Sequence, residues 1–193
     1  MTYNPVNSIH KAFNNRVVRE VLVKFRAPIS LVLLAALMTQ VKQSYFFIGL
    51  TVSLVGELIQ LWCFASLKKQ KTLATKGPYV LIRNPMYIGR FLLILGGVLL
   101  TGNIWLIVIF SIVYYFYMIN RVKREEKRLK GVFGDSYKDY CDNVNRFVPS
   151  FRGADLKSVW FFRWELFVGN HGLWNLLAVV LCYLIFYYFT FIH

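Results

Sequence analysis

Residues 77–89 read Gly-Pro-Tyr-Val-Leu-Ile-Arg-Asn-Pro-Met-Tyr-Ile-Gly, and groups capable of chemistry concentrate there between long apolar stretches. Asn84-Pro85 has the residue types of a helix start: asparagine caps free backbone N–H groups, and proline at the first helical position gives up a donor that was unpaired anyway. A helix is therefore expected from Pro85, with Gly77-Pro78 as a turn and residues 79–83 as a short connector beside its mouth. Arg83, an aromatic ring and a helix N-terminus then converge on one spot. That spot suits an anionic group, because the N-terminal amides and the helix dipole both favour negative charge. An ordinary capped helix with an arginine at the headgroup level would read the same way.

Glu125-Glu126 is the second cluster. The chain has only nine acidic residues, and these two are adjacent within a dense basic run. One reading is a surface pair of Glu126 with Lys130, worth a few tenths of a kcal/mol (about 0.3). The other is that one carboxylate points inward to hold a cation. Adjacent helix positions differ by about 100°, so the two cannot face solvent equally, and Glu126 is favoured as the inward one. Upstream, Glu57 lies in an apolar stretch with Gln60 about one turn further on. A carboxyl at membrane depth is costly, so it either contacts substrate or is satisfied by a hydrogen bond between helices.

The elements that must position these groups follow from composition. The 193 residues are 57% hydrophobic and 18% aromatic, with a mean hydropathy of +0.48 and a net charge of +14. Such a chain reads as an all-α integral membrane protein with about five transmembrane helices plus amphipathic interfacial helices. The apolar segments are 28–41, 46–67, 87–100, 103–120 and 172–192. The first and third are short for a hydrocarbon core of about 30 Å. Lysine and arginine number five in residues 1–26, six in 68–90 and eleven in 121–163, leaving only Lys42. If all five segments span, the three groups share one side, and the positive-inside rule makes the N-terminus cytoplasmic. The basic residues border apolar segments, so anionic headgroups rather than nucleic acid explain them. Cys63, Cys141 and Cys182 show neither disulfide nor zinc spacing, and no metal is expected. The polar start is not a signal peptide, and the end carries no prenylation box.

Ile9, Phe13, Val17, Val21 and Phe25 share one helical face, which predicts an amphipathic surface helix over residues 9–25 serving as an anchor. Gly49, Ser53 and Gly56 form a small-residue stripe that lets a neighbouring helix approach closely. Residues 67–76 read as a basic loop. Thr101-Gly102-Asn103 is a tight turn, so the third and fourth segments form a helical hairpin. The fourth continues without a breaker to Gly131, which brings Glu125-Glu126 beside the helix starting at Pro85. Gly134-Asp135 restarts a helix whose Phe133, Tyr137, Tyr140 and Val144 face can cover a pocket, and residues 145–149 end it. Trp160 and Trp164, within 156–167, suggest an interfacial aromatic belt.

Gly77-Pro78-Tyr79, Arg83-Asn84-Pro85-Met86-Tyr87 with Gly89, then Glu125-Glu126 with Leu129, Phe133-Gly134, Tyr137, Tyr140, Val144, Arg146 and Pro149 resemble the isoprenylcysteine carboxyl methyltransferases and the related membrane phospholipid methyltransferases. The resemblance covers residues 77–149. Asparagine stands where the eukaryotic enzymes usually carry histidine before the proline, so the chain is similar to a shorter prokaryotic relative. The resemblance implies an integral membrane methyltransferase that uses S-adenosylmethionine without a Rossmann fold, whose glycine fingerprint is absent. It implies catalytic roles for Arg83 and Glu126, and a cofactor site of Tyr79, Arg83, Asn84, Tyr87, Glu125, Glu126, Tyr137 and Arg146. A glutamate would hold the ammonium or ribose hydroxyls, Arg83 or Arg146 the carboxylate, and tyrosine rings the base. Glu57 and Gln60 are the expected substrate contacts.

The implied acceptor is the carboxylate of a lipophilic molecule such as a prenylated cysteine, entering laterally from the bilayer. A carboxylate is ionised at neutral pH and needs no general base, so catalysis reduces to in-line alignment in a water-poor pocket. The site would face the cytoplasm at the cell membrane. Residues 1–76 would form an N-terminal region with the first two spans, and 77–193 the catalytic region. Other readings stay open: an amine acceptor such as phosphatidylethanolamine, which would need a base, an NADPH-dependent membrane reductase, and a membrane scaffold whose polar motifs merely cap helices.

Overall fold

Among the described residues every regular element is helical, as a chain immersed in hydrocarbon requires, since each backbone polar group must be satisfied within its own segment. The computed structural model describes residues 5–68, 72–151 and 155–193. Lys69, Lys71 and Arg152, counted among the basic groups, lie outside the described residues.

The helices in chain order are α1 (Pro5–Asn14), α2 (Arg16–Lys24), α3 (Arg26–Met38), α4 (Phe46–Ser66), α5 (Pro85–Leu99), α6 (Ile104–Asn143), α7 (Leu156–Val159), α8 (Trp164–Gly169) and α9 (Gly172–Phe191). The single amphipathic helix expected over residues 9–25 is instead two. Asn15 leaves the helical region, and its side chain accepts the N–H groups of Val17 and Val18 at 2.9 and 3.4 Å, which starts α2 afresh. Nor does α1 act only as an anchor: Phe13 stacks on Phe116, and Asn14 donates to the Asn120 side chain of α6 at 2.8 Å.

Among the described residues, three helical stretches are long and apolar enough to cross a membrane: Gln43–Ser66, the helix Ile104–Asn143 and Gly172–Phe191. The first of the five expected spans reaches that length only as the pair α2 and α3, bent by 67°. The third is α5, apolar but 15 residues long; at 1.5 Å per residue it rises about 22 Å, short of the hydrocarbon thickness. Trp105 and Ile109 on α6, and Leu181 and Leu184 on α9, stay exposed on outward faces that lipid would cover.

Central α4 packs against α5, α8 and α9. The small-residue stripe is its crossing with α5: a Cβ on Gly56 would lie 2.3 Å from the Leu93 nitrogen, and one on Gly96 would lie 2.4 Å from the Gly49 carbonyl oxygen. The two backbones therefore touch directly. Ser53 Oγ donates to the Leu93 carbonyl at 2.7 Å, and Tyr183 of α9 donates to Ser53 Oγ at 2.5 Å, so one hydroxyl ties three helices. The hairpin between α5 and α6 forms as expected, with Asn103 accepting the Trp105 and Leu106 N–H groups. Phe46, Leu100 and Phe186 build an apolar core beside it, and the Lys42 N–H donates to the Leu100 carbonyl, so Lys42 sits at this end. Helix α6 runs unbroken through Gly131 and kinks at Gly134 (φ 53°, ψ −124°), where the sequence placed a restart.

Candidate functional site

At the end of α5 remote from the hairpin, the connector over residues 79–83 is pinned by the last turns of α6 and the chain that follows it. The Arg83 N–H donates to the Asn145 carbonyl at 2.9 Å, the Ser150 N–H to Leu81 at 2.8 Å, and the Tyr140 hydroxyl to the Tyr79 carbonyl at 2.6 Å. Gly77 opens this connector with φ +64°, and a Cβ there would lie 2.1 Å from Ser66 Oγ; only glycine fits. Pro85 begins α5 as expected, but Asn84 makes no side-chain cap bond. Its amide instead donates towards Glu126 Oε1 at 3.4 Å and the Arg146 carbonyl at 3.5 Å. A carboxylate from the facing helix and a free carbonyl both accept from its N–H groups, which turns the amide away from the capping position.

Both members of the acidic pair are turned towards α5. The Tyr87 hydroxyl donates to Glu125 Oε2 at 2.6 Å. Glu126 receives Arg146 in two bonds, Nε to Oε1 at 3.0 Å and Nη2 to Oε2 at 2.5 Å, with Arg83 Nε 3.9 Å from Oε1. Its side chain is only 12% exposed. The Glu126 bonds hold the Arg146 guanidinium above its ordinary pKa. Glu126 was favoured as the inward, cation-holding carboxylate; here it is neutralised by arginine, and Glu125 is the one that lines the cavity.

That cavity has a volume of about 740 Å³, within the range of small-molecule and cofactor sites. Met86, Tyr87 and Arg90 of α5 form one wall, Arg121, Glu125 and Arg128 of α6 another. Phe133 just before the Gly134 kink and Tyr137 and Tyr140 beyond it close a third side with Tyr79, and Phe64, Leu67 and Lys68 complete it at the end of α4. Among the described residues, five cationic side chains (Lys68, Arg83, Arg90, Arg121 and Arg128) thus share the lining with one carboxylate, Glu125. Burial pushes the Tyr79 phenol well above its ordinary pKa, and the neighbouring Cys63 and Glu125 add to the effect. Tyr137 is raised by burial and then by Glu126, and Tyr140 by burial. These phenols remain donors at neutral pH rather than becoming bases. Arg83 Nε is buried and makes no hydrogen bond among the described residues, with Glu126 3.9 Å away, while the side chain lines the cavity. A smaller cleft of about 320 Å³, bounded by Ile88, Phe91, Tyr114 and Met118, carries no charged side chain.

Of the residues expected at the site, Tyr79, Arg83, Asn84, Tyr87, Glu125 and Tyr137 line this cavity, while Glu126 and Arg146 pair beside it. Glu57 and Gln60 are not on its lining. Glu57 is 1% exposed and receives the Asn175 amide of α9 at 2.8 Å on each oxygen, the interhelical alternative that its position left open. Gln60 is 2% exposed, and its Nε2 has no hydrogen-bond partner among the described residues. Arg90 and Arg121 were not singled out for the site. Arg90 carried a signal as an isolated cation within an apolar helix, whereas Arg121 was one of many in a basic run.

The model of the phospholipid methyltransferase family matches residues 27–136, more than half of the chain. Protein-S-isoprenylcysteine O-methyltransferase of Schizosaccharomyces pombe is 37% identical over 81 residues, 42% of this chain and 34% of that protein. The cobalt-zinc-cadmium resistance protein CzcN of Cupriavidus metallidurans is 25% identical over 146 residues, 66% of each chain. A probable protein-S-isoprenylcysteine O-methyltransferase of Oryza sativa subsp. indica is 26% identical over 129 residues, 60% of this chain and 68% of that one. The aligned region thus spans only about a third of the yeast protein's length and about two thirds of CzcN. No solved structure matches the chain significantly.

Proposed function

The chain belongs to the phospholipid methyltransferase family, and from that membership and the cavity lining we propose an S-adenosylmethionine-dependent membrane enzyme that methylates the carboxylate of a lipophilic acceptor such as a prenylated cysteine. The observation that carries this reading is that Glu125 and Arg83, a carboxylate and a guanidinium, both line the one cavity. Such a pair matches the ammonium and carboxylate ends of an amino acid. When bound, the donor supplies a methyl group on a sulfonium sulfur: an acceptor oxygen bonds the methyl carbon while the carbon–sulfur bond breaks and its electrons stay on sulfur. Tyr79, Tyr137 and Phe133 offer rings for the base. Glu126 holds Arg83 and Arg146 in place from behind.

Methylating a protonated amine would require a base, whereas a carboxylate reacts as it stands. The yeast and rice relatives, named as protein-S-isoprenylcysteine O-methyltransferases, agree with that acceptor. The family's own description supplies the second reading, an aminophospholipid acceptor. The distribution of basic residues supports a cytoplasmic N-terminus and a cavity facing the cytoplasm of the cell membrane.

Methyl transfer from labelled S-adenosylmethionine to N-acetyl-S-farnesylcysteine and to phosphatidylethanolamine, run in parallel on purified protein, tests the proposal. Labelling of the farnesyl acid, with a rate nearly flat between about pH 6 and 9 because the carboxylate is already ionised, is the expected result. Labelling of the aminophospholipid alone selects the second reading. Binding of NADPH without S-adenosylhomocysteine in isothermal titration would refute both.

A further inference from the structure

The cavity holds more positive charge than a donor molecule can use. S-adenosylmethionine carries two positive groups and one negative one, and Arg83 suffices for its carboxylate. Lys68, Arg121 and Arg128 are exposed, and water can solvate them at the mouth. Arg90 differs from them. It lies within the apolar helix α5, is only partly exposed, lines the cavity, and makes no salt bridge or hydrogen bond among the described residues. A guanidinium at such a place is costly unless an anion meets it. Helical rise puts its backbone about 7.5 Å along α5 from Pro85, away from the mouth where Arg83 sits before the helix and towards the apolar middle of the molecule.

We propose that Arg90 is the acceptor subsite: it receives the oxyanion of a lipophilic acceptor that reaches the cavity from its apolar side, separately from the donor's carboxylate at Arg83. This rests on the methyltransferase reading for what the second molecule is. The oxyanion has two sources, the carboxylate of a prenylated amino acid or the phosphate of a phospholipid, and Arg90 would meet either through paired N–H donors. Tyr87 lies on the preceding turn of α5, between Arg83 and Arg90 in the chain, with its hydroxyl on Glu125 and Arg121 beside it.

The test measures binding rather than turnover, using the full chain in nanodiscs loaded with S-adenosylhomocysteine. The probes are N-acetyl-S-farnesylcysteine and its carboxamide, and in a second arm phosphatidylethanolamine and diacylglycerol. The wild type should prefer one acid-bearing lipid over its neutral analogue by at least about tenfold. Arg90→Gln should abolish that preference, Arg90→Lys should restore part of it, and the affinity for S-adenosylhomocysteine should stay within about twofold throughout. If the preference lies in the phospholipid arm alone, Arg90 keeps its role and the prenylcysteine reading falls. An acid preference that survives Arg90→Gln, no preference in either arm, or a loss of S-adenosylhomocysteine affinity matching the loss of acid affinity would overturn the proposal.

Discussion

The two ends of the α5–α6 hairpin are built on opposite principles. At the Thr101–Asn103 end, Phe46, Leu100 and Phe186 pack into an apolar core, the turn caps itself, and Lys42 is the nearby cation. At the other end the same two helices are bridged by charged and hydroxyl groups, Tyr87 to Glu125 and Asn84 to Glu126, around a cavity of about 740 Å³. Helix α4 runs past both, and its direct contact with α5 at Gly49, Gly56, Gly89 and Gly96 fixes where α5 lies. The closed end and the crossing supply rigidity. The open end can then keep buried charge, because its geometry is set elsewhere.

Breaking the crossing should therefore have the largest effect, and it should spread to both ends. Gly56→Leu forces a side chain into the backbone of Leu92 and Leu93, where even a Cβ would come within 2.3 Å. Overpacking of that kind costs about 3 kcal/mol or more when the neighbour is backbone. Purified protein should lose most of its folded fraction in detergent, read by thermal scanning and size exclusion. A variant with an unchanged melting temperature would mean that α4 and α5 do not touch there.

The acidic pair gives a sharper contrast within the open end. Glu126→Gln removes the counter-charge between Arg83 and Arg146, whose side chains are 14% and 42% exposed. The cost, discounted for the exposure of Arg146, is about 2 kcal/mol, and should appear as a fall of several degrees in melting temperature. Glu125→Gln removes a carboxylate that faces the cavity and should leave melting within a degree or so. It should instead weaken S-adenosylhomocysteine about ten- to a hundredfold, the worth of a charge-assisted hydrogen bond. The reverse pattern would exchange the roles of these neighbours.

That contrast also marks where the sequence stops being informative. Features determined by neighbouring residues were legible: the proline start of α5, the turn at Thr101–Asn103, the break at Gly134 and the small-residue stripe. The break at Asn15 was legible too by the capping rule, but the continuous apolar face over residues 9–25 concealed it. The orientation of the acidic pair was not. It depends on how far α6 is rotated against α5, which is set by packing along the whole hairpin. The Asn84 amide turned to Glu126, 42 residues away, and Glu57 found Asn175, 118 residues away. No local spacing encodes either partner. Arg90 was visible as an isolated cation, but its place on the cavity wall depends on the same helix rotation.

The smallest predicted effect probes whether the open end depends on hydrogen bonds or only on the crossing behind it. Tyr87→Phe keeps the ring against the cavity and deletes the hydroxyl that donates to Glu125 at 2.6 Å, with Arg121 alongside. Glu125 stays within reach of Arg121, so its charge remains compensated and only its orientation loosens. The loss of one such bond is worth about 1 kcal/mol. S-adenosylhomocysteine affinity should fall about fivefold while the melting temperature moves by no more than a degree or two. An undiminished affinity would mean that the arginines alone orient Glu125. A collapse in stability would mean that this hydroxyl joins α5 to α6 as firmly as the apolar end does, and the distinction between the two ends would fail.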